Sequence, residues 1–394
     1  MRNHIKRILY LSLAALIGCQ AAGAVAAVPE GAKFNEYIEP IHEGYAPLVG
    51  RVDEFKPLTA QDFVKAVRIG INAGNTFDAT ASRGLATETS WSNPKLVPEF
   101  FAALKAKGLD IVRIPVSWEP HITDFTDTYT IDPQFMDRLQ TVVEYALDAG
   151  LYVIIDTHHE DNHLLPRIAN GDTEAAVAEI KAIWAQVAER FSRYNERLVF
   201  NLLNEPRAYG TPSEWNGGTK AARELVGLLN QEALAIVRAS GGYNGERLVM
   251  MTPHAASIWY ADHLAVPTDD LYVLVSIHAY EPYEFALKMD GTDKFPEMNN
   301  LGDVFDRIDS KFISKGIPVI MDETGAMNKN GNLEDRIAWA NEFAAQAARV
   351  GVPVVLWDNG VTDIKKGESF GLIDRRTFEW VFPEIVEAFL DGGK

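Results

Sequence analysis

Cysteine is almost absent. Cys19 is the single one in 394 residues, which excludes a disulfide framework and any paired-cysteine metal site. Basic residues are in deficit, with 37 Lys and Arg against 55 Asp and Glu and a net charge of −18. So acidic a chain is a poor partner for a phosphate backbone or an anionic lipid surface, and a neutral or cationic ligand fits better. No glycine-rich phosphate loop follows a strand pattern: GINAGN at 70–75 lacks the three-glycine spacing and the downstream acidic residue of a dinucleotide site. A nucleotide cofactor is therefore not expected, and internal repeats, low-complexity tracts and heptads are missing as well. What is there is ordinary globular material, 47 % hydrophobic and 23 % charged. The length suits either two domains or one α/β barrel with insertions.

Residues 1–26 read as an export signal. Arg2, Lys6 and Arg7 precede the apolar run Ile8–Ile17, which is too short to span a bilayer. Two processing signatures follow. Leu16-Ile17-Gly18-Cys19 resembles a bacterial lipobox, with Cys19 as the site of a lipid anchor and an outer-membrane or cell-surface lipoprotein as the product. Ala24-Val25-Ala26 offers the small-x-small pattern of ordinary cleavage, giving a periplasmic or secreted protein. Residues 27–57, with Pro29, Pro40, Pro47 and Pro57, read as a linker and a segment packed on the main domain. Residues 58–394 form one domain, expected to be monomeric.

From Leu58 onward short runs rich in Val, Ile and Leu alternate with longer amphipathic stretches, the pattern of a parallel sheet with crossover helices. The runs are Val67–Asn72, Asp110–Pro115, Tyr152–Asp156, Leu198–Leu203, Arg247–Met251, Tyr272–His278, Pro318–Asp322 and Pro353–Trp357. Their near-continuous apolarity is that of strands buried on both faces. Helices are predicted over Leu96–Lys107, Pro133–Ala149, Glu174–Tyr194, Lys220–Ala239, Val304–Lys315 and Leu333–Arg349, several ending at a glycine (Gly108, Gly150, Gly316, Gly351). The expected fold class is α/β, a single (β/α)8 TIM barrel, with a doubly wound open sheet as the alternative.

In such barrels the active site gathers at the C-terminal ends of the strands. Polar residues follow the strand candidates there: Asn72, Asn75 and Asp78 the first; Asp156, His158, His159 and Glu160 the third; Asn204 and Glu205 the fourth. His278 and Tyr280 follow the sixth, Asp322 and Glu323 the seventh, and Trp357, Asp358 and Asn359 the eighth, while Arg113 lies near the end of the second. Glu205 and Glu323 arrive on strands four and seven, on opposite sides of a barrel. Two carboxylates across a cleft are what glycosidic bond cleavage requires. One must carry a proton to the leaving oxygen and so titrate high, while the other stays ionised to attack the anomeric carbon. Arg113, His278 and Tyr280 are the expected donors to an ionised Glu323, and Asn204 the expected contact to a sugar 2-hydroxyl.

At these residues the chain resembles glycoside hydrolase family 5, the large cellulase family of retaining (β/α)8 enzymes, and especially its subfamily 4 of endoglucanases and xyloglucanases. The stretches that carry the resemblance are GINAGNTFDA (70–79), LKAKGLDIVRIPVSWEPHI (104–122), GLYVIIDTHHE (150–160), LVFNLLNEPR (198–207) and GTPSEWNGGT (210–219). SIHAYEPY (276–283), PVIMDETGA (318–326), PVVLWDNG (353–360) and FGLIDR (370–375) continue it in the family's order. The resemblance implies an endo-acting hydrolase of β-1,4-glucan linkages without cofactor or metal. It implies Glu205 as acid/base and Glu323 as nucleophile, with Arg113, His158, Asn204, His278 and Tyr280 in support. Trp357 is implied as the platform beneath the sugar at the cleavage site, and Asn75, Asp78 and His159 as contacts to sugars along one arm. Trp91, Trp215 and Trp259 fall on strand-to-helix loops, where each is either a sugar platform or a packed loop residue.

Three positions depart from the family's pattern: Asn201 where glutamate is common, Asn162 where a tryptophan often follows the His-His-Glu-Asp run, and Ala73 where the residue is usually larger. No second composition regime marks an attached carbohydrate-binding module, which favours soluble β-glucan chains over crystalline cellulose. Two rival readings make distinct predictions. A metal-dependent barrel hydrolase would use His158, His159, His278 and Asp322 as ligands, and a non-catalytic glycan-binding barrel would bind without turnover.

Overall fold

The computed structural model describes residue 46 and residues 48–392, apart from 127. The expected export signal, Cys19 and most of the 27–57 segment lie outside the described residues. All eight expected strands form: β1 (Ile69–Asn72), β2 (Ile111–Ile114), β3 (Tyr152–Asp156), β4 (Leu198–Asn201), β5 (Val249–Met251), β6 (Val273–His278), β7 (Val319–Thr324) and β8 (Val354–Leu356). They pair in parallel in chain order, and β1 closes on β8, with Gly70 opposite Ile111 on one side and Val355 on the other. The barrel, rather than the open sheet, is the architecture.

The helices expected from the sequence appear as α2 (Pro98–Lys107), α3 (Pro133–Asp148), α5 (Thr173–Arg190), α6 (Lys220–Ala239), α8 (Leu301–Lys311) and α9 (Leu333–Val350), with α1 (Ala60–Ala66), α4 (Leu164–Asn170), α7 (Tyr283–Ala286) and α10 (Pro383–Asp391) in addition. Gly108 and Gly351 cap α2 and α9 in the left-handed conformation, where a side chain would be strained. Between β5 and β6 the crossover is two short 3-10 turns, His254–Ala256 and Ile258–His263, in place of a helix.

The barrel interior changes character along its axis. Successive residues of a strand face opposite sides, so β2 sends Ile111 and then Arg113 inward, β3 Ile154 and then Asp156, β4 Val199 and then Asn201, and β7 Ile320 and then Asp322. The lower residues, with Met250, Leu274 and Val355, form one apolar cluster closed from below by Ala60, Phe63, Val64 and Val67. Helix α1, capped by Thr59 through the Asp62 N–H, is thus the plug of the barrel. The outward residues, such as Val112, Val153 and Phe200, join the larger core beneath the helices. Residues 48–57 lie on the outside near this lower end, where Leu48 donates to Asp137 of α3 and Phe55 stacks on Tyr243 at 4.7 Å.

Candidate active site

Above the apolar layer lies a polar one, and Arg113 organises it. The side chain is fully buried, an arrangement that requires paired charge. Its Nη2 lies 2.6 Å from Asp156 Oδ2 and its Nε 3.3 Å from Asp322 Oδ2. Nη1 donates to Asn72 Oδ1 at 2.9 Å and to Glu323 Oε2 at 3.1 Å, while Nη2 also donates to Asn204 Oδ1 at 2.6 Å. One cation therefore ties β1, β2, β3 and β7 to the loop after β4.

Glu323 is buried at the end of β7, where the register against β6 and β8 shifts. Neighbours in a regular strand point opposite ways, but here Asp322 and Glu323 both reach the barrel interior. A local irregularity of this kind re-aims a side chain at a site. Glu323 accepts from Arg113 and, through Oε1, from the Tyr280 hydroxyl at 2.7 Å. Glu205, partly exposed on the loop after β4, has His278 Nδ1 2.9 Å from its Oε1. One oxygen each of Glu205 and Glu323 and a nitrogen of His278 lie within 4.8 Å of one another. Carboxyl groups about 5–5.5 Å apart characterise retaining glycosidases, against about 6.5–9.5 Å in inverting ones; this pair falls on the close side.

The expected division of donors needs one correction. Arg113 and Tyr280 do serve Glu323, but His278 is bonded to Glu205 and stands 3.8 Å from Glu323. The electrostatics follow that geometry. Burial opposes the charge on His278, yet Glu323, Asp322 and Glu205 push its pKa up to about 10. Burial also works against the charge on Glu205, but the bond from His278 and the cation's field hold it down to about 2. Glu323 is pushed up by burial and by the charge of Glu205, against the pull of His278 and Arg113. Burial and neighbouring charge thus bear on the two carboxyls in opposite directions, and the three groups titrate as a unit.

His158 is buried, with Nδ1 2.8 Å from Asp156 Oδ2, and burial pushes its pKa well down. A neutral ring donates there through Nδ1, leaving Nε2 as an acceptor. Trp357 runs parallel to it, ring centres 5.9 Å apart, and Gly74 is what lets the indole lie there. A Cβ at Gly74 would come within 2.6 Å of the ring.

The remaining expected contacts divide. Asp78 is fully buried and accepts from the Asn75 and Thr76 N–H groups, so it shapes the loop that presents Asn75. His159, half-buried, lies beside His158 and 5.9 Å from the Trp91 ring. Trp215 is exposed and covers Arg207 at 4.5 Å; Trp259, also exposed, covers Arg307 at 5.1 Å. Asn162 donates its N–H to Glu119, and Asn201 donates to Asp322 at 2.9 Å while accepting from Thr252. The four residues of the metal reading do not converge. Among the described residues the two groups of converging ligand atoms are Asp78–His158–His159 and Glu205–His278–Glu323, and neither joins His158 to His278 or includes Asp322.

Asn72, Asp156 and Asp322 stand out as site residues that the sequence marks as strand-end polar groups, Asp322 also as a metal-type ligand. Their signal was a polar residue two places beyond an apolar one inside a buried strand. Glu368, on the loop after β8, was not noticed; burial and the charges of Glu323 and Glu205 push its carboxyl up.

The profile of the cellulase family, glycosyl hydrolase family 5, matches residues 72–363. The chain belongs to that family. It is 45 % identical over 343 residues to Endoglucanase 1 of Ruminococcus albus, covering 86 % of this chain and 82 % of that protein. A GH5-4 broad-specificity endoglucanase from Ruminococcus champanellensis, solved with bound cellotriose, superposes with a TM-score of 0.81 at 36 % identity, covering 86 % of this chain and all of that one. A family 5 lichenase from Caldicellulosiruptor sp. F32, solved as a mutant with cellotetraose, gives 0.80 at 34 % identity, covering 90 % and 99 %. This family 5 chain thus carries both glutamates and a polar network that converges on them.

Proposed function

We propose that this family 5 chain is a retaining endo-β-1,4-glucanase in which Glu323 is the nucleophile and Glu205 the acid/base. The carrying observation is the close pair itself, with each carboxyl held by different donors. Tyr280 and Arg113 fix both oxygens of Glu323, so it stays aimed while its charge moves onto the sugar. Glu323 attacks the anomeric carbon as Glu205 protonates the departing oxygen, giving a covalent glycosyl-enzyme. Glu205 then takes a proton from water, and that water releases the sugar. With its Oδ1 occupied by Arg113, Asn204 has its amide nitrogen for the sugar 2-hydroxyl. His158 Nε2 accepts a hydroxyl, and Trp357 lies under the ring. Asn75 and His159 extend the contacts along one arm, with Asp78 holding the loop.

The substrate is a soluble β-glucan: cellulose-type, mixed-linkage or xyloglucan. The leader delivers the enzyme outside the cytoplasm, through a lipid anchor at Cys19 or by ordinary cleavage after Ala26. Palmitate labelling of wild type but not Cys19→Ala decides between them.

Initial rates on xyloglucan, barley mixed-linkage glucan, carboxymethylcellulose, xylan and mannan test the function, with Glu323→Gln in parallel and the product anomer followed by proton NMR. The expected result is hydrolysis of one or more β-glucans, lost in the variant, with the β-anomer appearing first. Release of the α-anomer, or turnover that survives Glu323→Gln, would overturn the assignment.

A further inference from the structure

The polar layer holds two carboxylates that the mechanism above does not use, Asp156 and Asp322, and it is Asp322 that faces His278. Asp322 is fully buried directly before Glu323. Its Oδ1 accepts from the Ser276 hydroxyl at 2.6 Å and its Oδ2 from Asn201 at 2.9 Å. Two further buried groups turn toward it, Arg113 Nε at 3.3 Å from Oδ2 and His278 Nε2 at 3.6 Å from Oδ1. Neither nitrogen makes a hydrogen bond, to Asp322 or to any other group; each faces Asp322 at ion-pair distance. A buried imidazole nitrogen with one polar neighbour must carry a proton toward that neighbour or be left unsatisfied. His278 thus stands between two carboxylates, Asp322 beneath Nε2 and Glu205 beyond Nδ1.

We propose that Asp322 is a positioning residue for the proton that Glu205 delivers: from the polar layer beneath the site it holds the Nε2 side of His278 so that the ring stores that proton on Nδ1, against Glu205. In the first step the Nδ1–H bond breaks and an O–H bond forms on Glu205 Oε1. His278 is left neutral with its Nε2–H still directed at Asp322. Glu205 then passes the proton to the glycosidic oxygen as the C1–O bond breaks and the Glu323–C1 bond forms. When Glu205 deprotonates the incoming water, the proton returns along the same path. This accounts for an acid/base that is ionised in the free site while its reaction needs a proton: the proton is one hydrogen bond away.

The charged groups around this unit are few. Glu205 faces His278 from the loop after β4, and Asp322 and Glu323 face it from β7. Arg113 from β2 and Asp156 from β3 face Asp322, while Arg207 and His158 bear on Glu205. Removing the charge of Asp322 takes away one of the three anions that favour the imidazolium. The Glu205–His278 unit then releases its proton at lower pH.

The inference rests on Glu205 being the acid/base, so the experiment carries a control for that reading. The pH dependence of kcat/KM is measured on a soluble β-glucan for wild type and Asp322→Asn, which keeps the shape of the side chain. Glu205→Ala is assayed on an aryl cellobioside with a good leaving group, with and without azide. Rescue by azide supports Glu205 as acid/base, and its failure rejects that reading. With the control behaving, the alkaline limb of Asp322→Asn is expected about 1–3 pH units lower. The kcat on the acid side should stay within about tenfold of wild type. A limb that does not move, with kcat reduced equally at all pH values, would mean that Asp322 is only structural and would overturn the proposal. Should Asp322→Asn fail to fold, nitrogen-15 NMR of histidine-labelled wild type decides. A His278 ring protonated on both nitrogens at pH 8 supports the proposal, and a neutral ring rejects it.

Discussion

The lower and upper halves of the barrel interior are made by the same strands, often by residues two places apart, and they use opposite physics. Below, Ile111, Ile154, Val199 and Ile320 meet Phe63 of the plug helix and fill space by shape. Above, Arg113, Asp156, Asn201 and Asp322 fill the equivalent space with charged and hydrogen-bonding groups, each answering another. An apolar layer gains by leaving water and needs no particular partner. A buried ionic layer costs desolvation and persists only while every charge is paired. The lower half is thus suited to stability, and the upper half to holding a nucleophile, a proton and a sugar in fixed relation.

The sharpest test removes the chemistry and leaves both layers standing. Glu323→Gln keeps the volume and the donor from Tyr280 but has no charge with which to attack the anomeric carbon. We expect kcat on soluble β-glucan to fall by at least about 10⁴-fold, with thermal unfolding close to wild type. A fall below about tenfold would place the nucleophile elsewhere.

The complementary substitution lies at the other end. Phe63→Ala in α1 should cost about 3–5 kcal/mol of stability, read by urea unfolding. Well below the unfolding transition its kcat and KM should remain those of wild type. If Phe63→Ala slowed turnover tenfold while folded, the two layers would not be separable.

The sequence revealed these halves unequally. Eight apolar runs, ending in polar residues at the expected places, were enough for the barrel and for bringing Glu205 and Glu323 to one mouth, because burial on both faces and a polar strand end leave strong local signatures. The plug helix was not visible: seven residues at Ala60–Ala66 show no amphipathic repeat, and their partners come from strands across the whole chain. The β5–β6 crossover was missed for a related reason, since 3-10 turns have no long period. The partner of His278 was not legible, because 2.9 Å to Glu205 against 3.8 Å to Glu323 is a fact of tertiary packing. Asp322 was read as a strand-end polar group and a metal-type ligand. Only the register shift after it explains why it and Glu323 point the same way.

The charged layer should also leave a mark on stability that the apolar layer does not. Burial outweighs Arg113 and pushes Asp156 up to about 6 from 3.8. A folded pKa above the unfolded one means that the folded state keeps this proton longer. The stabilisation it provides is complete below about pH 4 and is lost as the pH rises through about 6. That shift corresponds to about 3 kcal/mol. Asp156→Asn removes the titration, so its unfolding free energy should fall less than that of wild type between pH 4 and 6.5. Parallel profiles would show that Asp156 is ionised throughout.

The smallest effect is expected at the rim, where neither layer reaches. Trp215 is exposed, with one face on the Arg207 guanidinium. Arg207 in turn donates to the Glu205 carbonyl at 3.1 Å and to Glu214 at 2.8 Å. Two roles lead to different kinetics. If the free face of the indole carries a sugar beyond the cleavage site, Trp215→Ala raises KM for long glucans about three- to tenfold, roughly 1 kcal/mol. It then leaves kcat on a short aryl cellobioside unchanged. If the indole acts by steadying Arg207, and through it the loop that carries Glu205, kcat falls on both substrates and KM holds. We expect the first, because Arg207 keeps its bonds to Glu214 and to the Glu205 carbonyl without the tryptophan. A loss of kcat on the short substrate would extend the positioning network from the polar layer to the rim.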